Sequence, residues 1–307
     1  MNNATSHRQI LYGLTADIHF LNLLNQPQLS GKVEQVFNKA INVSIDNHLF
    51  TLLSTQLDNA PNSCRLLNND FSLLNIKNED NFYLLNNEIC IGEHYSLSFS
   101  LCKLWQQPVI NFIYEKINQR NYQSFLLKQI NRLDLILSEA RSSLFNYQGD
   151  NLFYVASTEK LNQLRSNLIS LLKAKQRHGL ANVISQFVGL GIGLTPSGDD
   201  YLVGLMAFLL LEKHPARAFY PEFHQGIMQS NERTTPISAI TLEKALNHEY
   251  RENMHQLIQS LVDANETNIY SQFLDILNIG SSSGSDMLFG IRDALYLTHY
   301  FGESYVN

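Results

Sequence analysis

Apolar and polar residues alternate at short spacing across much of the first hundred positions, a pattern typical of β-strands. The segment 33–45 is rich in β-branched and apolar residues, and 48–55 resumes the same pattern. Between them stands Asp46-Asn47, a turn signal, because both residue types tolerate the tight backbone of a turn. These features together predict a β-hairpin.

A second pair of short apolar runs, 82–85 and 89–91, flanks the turn signal Asn86-Asn87 and predicts another β-hairpin. The stretch 95–101, YSLSFSL, alternates strictly between apolar and polar residues. Strict alternation is typical of a strand with one face in the core and the other in solvent. The N-terminal part of the chain is therefore predicted to be rich in β-structure.

The period of the apolar pattern changes near residues 105–108. Beyond this point apolar residues recur at i, i+3 and i+4, as on one face of an α-helix, and Ser157-Thr158 is interpreted as an N-cap. The predicted helices are 109–117, 125–145, 161–172, 180–188, 198–213, 236–247, 252–263, 268–277 and 285–300. We therefore predict an α+β protein, with a β-rich N-terminal domain at residues 1–107 and a larger, mostly helical domain at residues 108–307.

The helical part contains one short pattern twice, 86 positions apart (284 − 198 = 86). The first copy is SGDDYLVGL at 197–205, and the second is SGSDMLFGI at 283–291. Each copy follows a glycine-bearing loop and opens an apolar helix. Gly204 and Gly290 lie at matched positions, which predicts a close approach of helix to helix or of helix to ligand, and we expect the two helices to pack near each other. The pattern predicts a paired anion-binding site with acidic residues at its mouth, because helix N-termini attract anions.

The loop before the first copy carries glycines at positions 189, 191 and 193. Glycines allow positive φ and let backbone N–H groups come close to a ligand. Thr195 followed by Pro196 is the signature of an N-cap and a first helical residue. The positive end of the helix dipole would then face the loop, where it suits a phosphate or a carboxylate.

Two further segments add polar groups to this picture. The second loop, 280–286, contains four serines and two glycines, which offer hydrogen-bond donors to an anion. The segment 231–238 contains Thr235-Pro236, another N-cap signature. Arg233 in that segment is a candidate for a bidentate contact with a carboxylate or phosphate.

Asp199 and Asp200 fall in the first turn of a predicted helix, where acidic residues can simply complement the helix dipole. Adjacent helical residues point in different directions, so we expect only one of the two to face the site. That carboxylate, paired with Asp286, would bind Mg²⁺, hold an ammonium or amide group, or act as a base. The candidate catalytic residues are Asp199, Asp200 and Asp286. The candidate substrate-binding residues are Gly191, Gly193, Thr195, Ser197, Gly198, Arg233, Thr234, Thr235, Ser283 and Gly284.

Composition narrows the classes of function. A net charge of −6 and the lack of a basic run disfavour nucleic-acid binding. The longest apolar run, 201–211, is shorter than the roughly 20 residues that cross a bilayer, and residues 1–13 lack the core of a signal peptide. The three cysteines lack CxxC spacing, so we expect buried free thiols in a cytoplasmic compartment. Walker A, dinucleotide-binding and HExxH motifs are absent from the sequence.

Three segments of the chain resemble one bacterial family, in the same order. They are GLGIGLTPSGDDYLVGLMAFL, NERTTPISA and GSSSGSDMLFGI. The chain is thereby similar to the family that contains the AllH-type subunit of oxamate carbamoyltransferase. The resemblance covers most of residues 180–300 and extends weakly to the N-terminal half through VFNKAINVSIDNHLFTLL. One departure lies in the second loop, where Ser281-Ser282 and Ser285 replace an expected His-Thr pair and an alanine.

The resemblance implies a subunit of a multi-protein enzyme of allantoin and purine breakdown, with two other subunits as partners. The implied reaction transfers a carbamoyl group between oxalurate and phosphate, giving oxamate and carbamoyl phosphate. Under this hypothesis, loop N–H groups with Thr195, Ser197 and Ser283 hold the phosphate or carboxylate. Asp200 and Asp286 would orient the carbamoyl amide or a metal ion such as Mg²⁺.

Two other hypotheses stay open at the level of sequence. In the first, the chain is a non-catalytic anion-binding or scaffold subunit, and the chemistry occurs on a partner. In the second, it is a stand-alone Mg²⁺-dependent enzyme acting on a nucleotide or an acyl phosphate.

Overall fold

The structure is a computed structural model, and it describes residues 8–46, 48–86 and 88–303. The predicted turn residues Asn47 and Asn87, and most of the segment considered for a signal peptide, lie outside the described residues. The chain divides into two compact units, residues 1–108 and 109–307. Within the described ranges, no helix combines the length and the apolar character that a membrane crossing requires.

The first unit is a β-sheet that closes on itself. Its described strands are β1 (Gln9–Ala16), β2 (Ser30–Val36), β3 (Ala40–Ile45), β4 (His48–Leu53), β5 (Ser63–Leu66), β6 (Asn81–Leu85), β7 (Glu88–Ile91), β8 (Tyr95–Ser98) and β9 (Lys103–Leu104). The strand order is β5-β4-β3-β2-β6-β7-β8-β1-β9, and β1 also pairs with β5. The strands from β1 to β8 therefore form a barrel, and β9 adds to the end of β1. Closure pairs the backbone groups that an open sheet leaves at its edges.

Both predicted hairpins are confirmed. Strands β3 and β4 pair antiparallel with Ile45 opposite His48, and β6 and β7 pair antiparallel with Leu85 opposite Glu88. Asp46 and Asn86, which follow the first strand of each hairpin, both have positive φ. Aspartate and asparagine tolerate this left-handed conformation better than most residues, which explains why these turn signals were informative.

The stretch 33–45, which stands on one side of the first predicted hairpin, contains two strands. Strand β2 ends at Val36 and β3 begins at Ala40, and the two pair antiparallel with each other. The N–H of Phe37 donates to the carbonyl of Ala40 at 2.8 Å, which closes a tight turn. The turn was missed because its apolar Phe37 continues the strand-like pattern and no glycine or proline interrupts it.

A short helix α1 (Ile18–Leu21) follows β1 and contributes to the barrel core. Asp17 caps it, since one carboxylate oxygen accepts from the N–H of Phe20 at 2.9 Å. The ring of Phe20 is fully buried and meets Phe50 edge-to-face, with 5.9 Å between centroids. Burial of an aromatic side chain of this size contributes about 2–3 kcal/mol, so the helix is held mainly by its packing.

The second unit is nearly all helical. Its described α-helices are α2 (Arg120–Glu139), α3 (Leu152–Lys173), α4 (Leu180–Phe187), α5 (Ser197–Leu209), α6 (Tyr220–Met228), α7 (Pro236–Leu246), α8 (Glu252–Asp263), α9 (Ile269–Leu277) and α10 (Ser283–Glu303). Helix α5 is buried along its whole length, which fits its apolar sequence on every face. The α+β class, with β-structure first and helices after, is confirmed.

The helix prediction is wrong in four details, the first of which is the helix predicted over 125–145: α2 already ends at Glu139. Residues 109–117 do not form an α-helix, because this segment is drawn into a backbone pairing in which Phe112 donates to the carbonyl of Glu212 at 3.0 Å. Helix α3 begins at Leu152 with Asn151 as its N-cap, so Ser157-Thr158 lies inside the helix. Helix α6 was not predicted, since its sequence YPEFHQGIM is short and contains both proline and glycine.

The two copies of the repeated motif lie on α5 and α10, and these helices contact each other at glycines. A Cβ atom on Gly204 would lie 1.9 Å from the carbonyl oxygen of Met287. A Cβ atom on Gly290 would lie 2.1 Å from the carbonyl oxygen of Tyr201. Side-chain carbons do not approach a backbone that closely, so only glycine permits this packing. The predicted close approach of the two helices is confirmed.

The resemblance between the copies extends beyond the motif to a helix, a loop and a second helix. Helix α4 precedes α5, and α9 precedes α10. In both copies the motif glycine folds back on the preceding helix: a Cβ on Gly198 would lie 2.2 Å from Phe187 O, and one on Gly284 would lie 2.0 Å from Ile276 O. Each loop is thereby fixed between two helices.

Candidate functional site

The N-termini of α5 and α10 lie side by side, and two hydroxyl groups join their loops. Thr195 Oγ1 and Ser283 Oγ are 2.7 Å apart, within hydrogen-bond distance. Residues 192–194 of the first loop are exposed, whereas Asp200 and Asp286, one turn into the helices, are buried. The arrangement therefore places exposed loop backbone next to buried acidic groups.

The interpretation of Thr195 as the N-cap of this helix is wrong by one residue. Pro196 has extended backbone angles (φ −56°, ψ 145°) and occupies the N-cap position. Its carbonyl accepts from the N–H of Asp200 at 3.2 Å. The hydroxyl of Thr195 is instead bonded to Ser283, a residue 88 positions away that no local pattern reveals.

The glycines of the first loop take conformations that favour glycine. Gly191 and Gly193 have φ of +135° and +87°. A Cβ on Gly191 would lie 2.5 Å from the backbone nitrogen of Ser197, whereas one on Gly193 would meet open space. No carbonyl of the described residues accepts from the N–H of Gly191, Ile192 or Gly193. These N–H groups are therefore available to solvent or to a ligand.

Asp199 is buried, and both oxygens of its carboxylate accept hydrogen bonds. Oδ1 accepts from the N–H of Gly189 at 2.8 Å. Oδ2 accepts from Ser238 Oγ at 2.6 Å and from the hydroxyl of Thr234. Burial raises the pKa of Asp199, and these three hydrogen bonds oppose the rise. The carboxylate thus ties the first loop to the segment that precedes α7.

The segment 231–238 contacts the first loop at two more points. Thr235 is the N-cap of α7, as predicted, and accepts from the N–H of Ser238 at 3.1 Å. Its hydroxyl also donates to the carbonyl of Leu194 in the loop. Arg233 is exposed, and its guanidinium donates to the carbonyl of Ser185 at 3.4 Å. Its side chain lies on α4 here, and we find no carboxylate bonded to it among the described residues.

Asp200 and Asp286 are equivalent residues of the two copies, and each is contacted by the motif serine of the opposite copy. The hydroxyl of Ser283 lowers the pKa of Asp200, and the hydroxyl of Ser197 lowers the pKa of Asp286. Both carboxyl groups are almost fully buried, at 1% and 0% exposure. The carboxyl group of each copy is therefore influenced by the serine at the start of the other helix.

Each of these two carboxyl groups also has an unused oxygen. Oδ2 of Asp200 and Oδ2 of Asp286 are buried and have no hydrogen-bond partner among the described residues. A buried polar atom without a partner costs roughly 1–3 kcal/mol, and native proteins retain few of them without a reason. Two such atoms at matched positions point to a ligand with hydrogen-bond donors.

Burial raises the pKa of both carboxyl groups. The pKa of Asp286 rises to about 7, and the hydroxyls of Ser143, Ser197 and Ser282 oppose the rise. The pKa of Asp200 lies well above its ordinary value because of burial and of the neighbouring charge of Asp286. Both shifts favour the protonated forms of the two carboxyl groups.

Sequence reasoning missed two features of this site. Ser143, in the segment between α2 and α3, is buried and donates to Oδ1 of Asp286. Asp293 on α10 is buried and accepts from Arg165 Nη2 at 2.8 Å and from the Tyr201 hydroxyl at 2.9 Å. Asp293 follows Asp286 by two helical turns on the same face, which is a usable signal. Nothing in the sequence near Ser143 marks its role.

The acidic residues do not by themselves define a metal site. Within the residues that the structure describes, no group of three or more His, Cys, Asp or Glu side chains is arranged to hold a metal ion. The carboxyl pair and the surrounding hydroxyls would have to share any cation with ligand or solvent oxygens, as Mg²⁺ sites often do.

Two family models match this chain. The model for the oxamate carbamoyltransferase subunit AllH matches residues 187–295, which include both loops and all three aspartates. The model for the AllH family N-terminal domain matches residues 12–104, which include most of the barrel. No solved structure matches the chain. Since the two models together cover both units, the chain belongs to the AllH family.

Proposed function

We propose that this chain, as a member of the AllH family, is a subunit of a cytoplasmic carbamoyltransferase that interconverts oxalurate plus phosphate with oxamate plus carbamoyl phosphate. The family description supports a role in carbamoyl transfer and the presence of other subunits. The observation that carries the assignment to this site is the pair of unpartnered carboxyl oxygens between two helix N-termini.

The chemistry of the proposed ligands supports this site. Oxamate has a carboxylate at one end and an amide NH₂ at the other, and carbamoyl phosphate has a phosphate and an NH₂. The N–H groups of Gly191, Ile192 and Gly193, from which no carbonyl of the described residues accepts, suit the anionic end. Oδ2 of Asp200 and Oδ2 of Asp286 suit the NH₂ end, because carboxyl oxygens accept hydrogen bonds.

In this proposal the carboxyl pair takes part in the transfer itself. In the forward direction, an oxygen of HPO₄²⁻ attacks the carbamoyl carbon of oxalurate and the bond from that carbon to the oxamate nitrogen breaks. The phosphate loses its proton, and the departing nitrogen gains one. An ionised carboxyl accepts the first proton while a protonated one donates the second. A pKa of about 7 for Asp286 suits this exchange at neutral pH.

Other candidate residues take positioning roles in this proposal. Ser197, Ser283 and Thr195 orient the carboxyl groups through their hydroxyls, and Thr195 with Ser283 also borders the anion. Asp199 holds the loop rather than the ligand, because both of its oxygens are occupied by protein donors. Gly198 and Gly284 allow each loop to pack closely on the helix that precedes it.

Ligand binding to the isolated chain is the first test. We expect phosphate-containing and oxamate-like ligands to raise the melting temperature, since a ligand at about 100 times its Kd stabilises by roughly 2.7 kcal/mol. The ligands are phosphate, carbamoyl phosphate, oxamate, oxalurate and ATP, each with and without Mg²⁺. Asp286→Asn should abolish the shift with oxamate, whereas Asp275→Asn, an exposed carboxylate on α9, should leave it unchanged.

Activity of the assembled complex is the second test. Asp286→Ala should abolish carbamoyl transfer, and full transfer by that variant would overturn the catalytic assignment. Transfer by the partner subunits without this chain would favour the non-catalytic alternative. ATP binding that requires Mg²⁺ would favour the stand-alone enzyme.

A further inference from the structure

The barrel contains two cysteine sulfur atoms on the same side of one glycine. Cys64 lies in β5, and Cys102 lies just before β9. Both strands pair with β1, which carries Gly13. A Cβ atom on Gly13 would lie 3.3 Å from the sulfur of Cys64 and 3.3 Å from the sulfur of Cys102. The missing side chain of Gly13 therefore leaves room for the two sulfurs to approach each other.

Each thiol donates to a backbone carbonyl, Cys64 Sγ to Arg65 at 3.8 Å and Cys102 Sγ to Lys103 at 3.9 Å. Cys64 is fully buried, and the neighbouring Cys102 thiol together with burial raises its pKa well above the ordinary value. Cys102 is only partly buried, contrary to the expectation of three buried thiols, and the neighbouring Cys64 thiol lowers its pKa. One sulfur is thus accessible and nucleophilic, and the other lies behind it.

We propose that Cys64 and Cys102 form a redox-active dithiol that closes to a disulfide on reaction with hydrogen peroxide. The Cys102 thiolate attacks one peroxide oxygen, the O–O bond breaks, and a sulfenic acid and water form. The Cys64 thiol then loses its proton and attacks the sulfenic sulfur, which forms the S–S bond and releases a second water. Two thiols are oxidised by two electrons, and peroxide is reduced to two waters. A dithiol reductant reverses the step.

The disulfide would form a covalent link between β5 and the residue before β9, at the point where the barrel closes. Strand β1 pairs with β5 at Gly13 and Ala16, and β9 pairs with β1 at Thr15 and Ala16. A bond between Cys64 and Cys102 would link the two neighbours of β1 across 38 positions of chain (102 − 64 = 38). Such a cross-link restricts the unfolded chain, so the oxidised barrel should melt at a higher temperature than the reduced one.

Peroxide treatment of the full chain, followed by peptide mass mapping without reductant, tests the proposal. We expect a cross-linked peptide pair that contains Cys64 and Cys102, while Cys90 stays a free thiol. The oxidised protein should melt roughly 5 °C or more above the reduced protein, and a dithiol reductant should remove the shift. Cys90, buried in β7, serves as the internal control, and Cys90→Ser should leave the cross-link unchanged.

Two variants separate the dithiol from general cysteine oxidation. Cys64→Ser should leave the sulfenic acid of Cys102 without a partner, so that dimedone traps it. Gly13→Ala places a methyl group against both sulfurs and should slow the cross-link at least tenfold. Oxidation of Cys102 in the native chain without loss of the Cys64 thiol would overturn the proposal, as would cross-links to Cys90. Neither outcome bears on carbamoyl transfer.

Discussion

The two copies of the repeated motif share a backbone scaffold, but different neighbours hold them in place. In both copies a motif glycine packs on the preceding helix and a second glycine packs on the opposite copy. The third motif position differs: it is Asp199 in the first copy and Ser285 in the second. Asp199 accepts three hydrogen bonds from other segments, whereas Ser285 donates only to the nearby carbonyl of Ser282, at 2.6 Å.

The difference separates what the repeat provides from what each copy adds. The shared positions bring two helix N-termini together and place Asp200 and Asp286 at equivalent points. The unshared positions then anchor each copy: Asp199 anchors the first loop, and Ser143 anchors the carboxyl group of the second copy. A pair of similar motifs therefore builds one site with two unequal halves.

The largest expected effect comes from breaking the helix contact common to both copies. Gly204→Ala should lower the free energy of unfolding by about 3 kcal/mol, because its Cβ would lie 1.9 Å from a backbone oxygen of α10. Gly290→Ala should cost a similar amount. Gly193→Ala is the matched control and should cost only about 1 kcal/mol, through its positive φ alone. Denaturant unfolding measures all three, and equal losses would contradict the role given to the helix contact.

The second prediction tests the difference between Asp199 and Ser285 at the third motif position. Asp199→Ala should lower the free energy of unfolding by about 2–3 kcal/mol, because it leaves Thr234, Ser238 and the N–H of Gly189 without their acceptor. Ser285→Ala, at the equivalent place, should cost about 1 kcal/mol or less. Chemical denaturation measures the free energy of unfolding of both variants. A smaller decrease for Asp199→Ala than for Ser285→Ala would contradict the anchoring role given to Asp199.

The smallest effect concerns the carboxyl pair and appears as a dependence on pH. The folded pKa of Asp286, about 7, lies above its unfolded value, so the folded state holds more protons and stability falls as pH rises towards 7. Asp286→Asn removes this penalty. Relative to the native chain, the variant should therefore gain on the order of 2 kcal/mol between about pH 5 and about pH 8. Unfolding curves at both pH values measure the gain, and a difference independent of pH would show that Asp286 is ionised throughout.

Local sequence patterns were sufficient to predict those elements that are determined by residues close together in the sequence. Both hairpins were predicted because Asp46 and Asn86 are turn residues between apolar runs, and most helices of the second unit followed from their apolar spacing. The close approach of α5 and α10 was predicted from Gly204 and Gly290, since glycine inside a helix weakens it and needs a reason.

Predictions from local sequence patterns failed where residues far apart in the sequence form hydrogen bonds with each other. Residues 109–117 have helical spacing, but Phe112 pairs with Glu212, a hundred positions along the chain. Thr195 looks like an N-cap, but Ser283 engages its hydroxyl. A polar side chain forms hydrogen bonds with whichever partner the fold brings near, so its sequence neighbours do not decide its role.

The sequence by itself determined the α+β class, the hairpins, the repeated motif and the family to which the chain belongs. Only the tertiary structure decided that the barrel closes through β1 and β5, that Asp199 bonds to Thr234 and Ser238, and that the Oδ2 atoms of Asp200 and Asp286 stay unpaired. The reason is physical: periodicity and turn chemistry depend on residues a few positions apart. The environment of a buried carboxyl group depends instead on which segments pack around it.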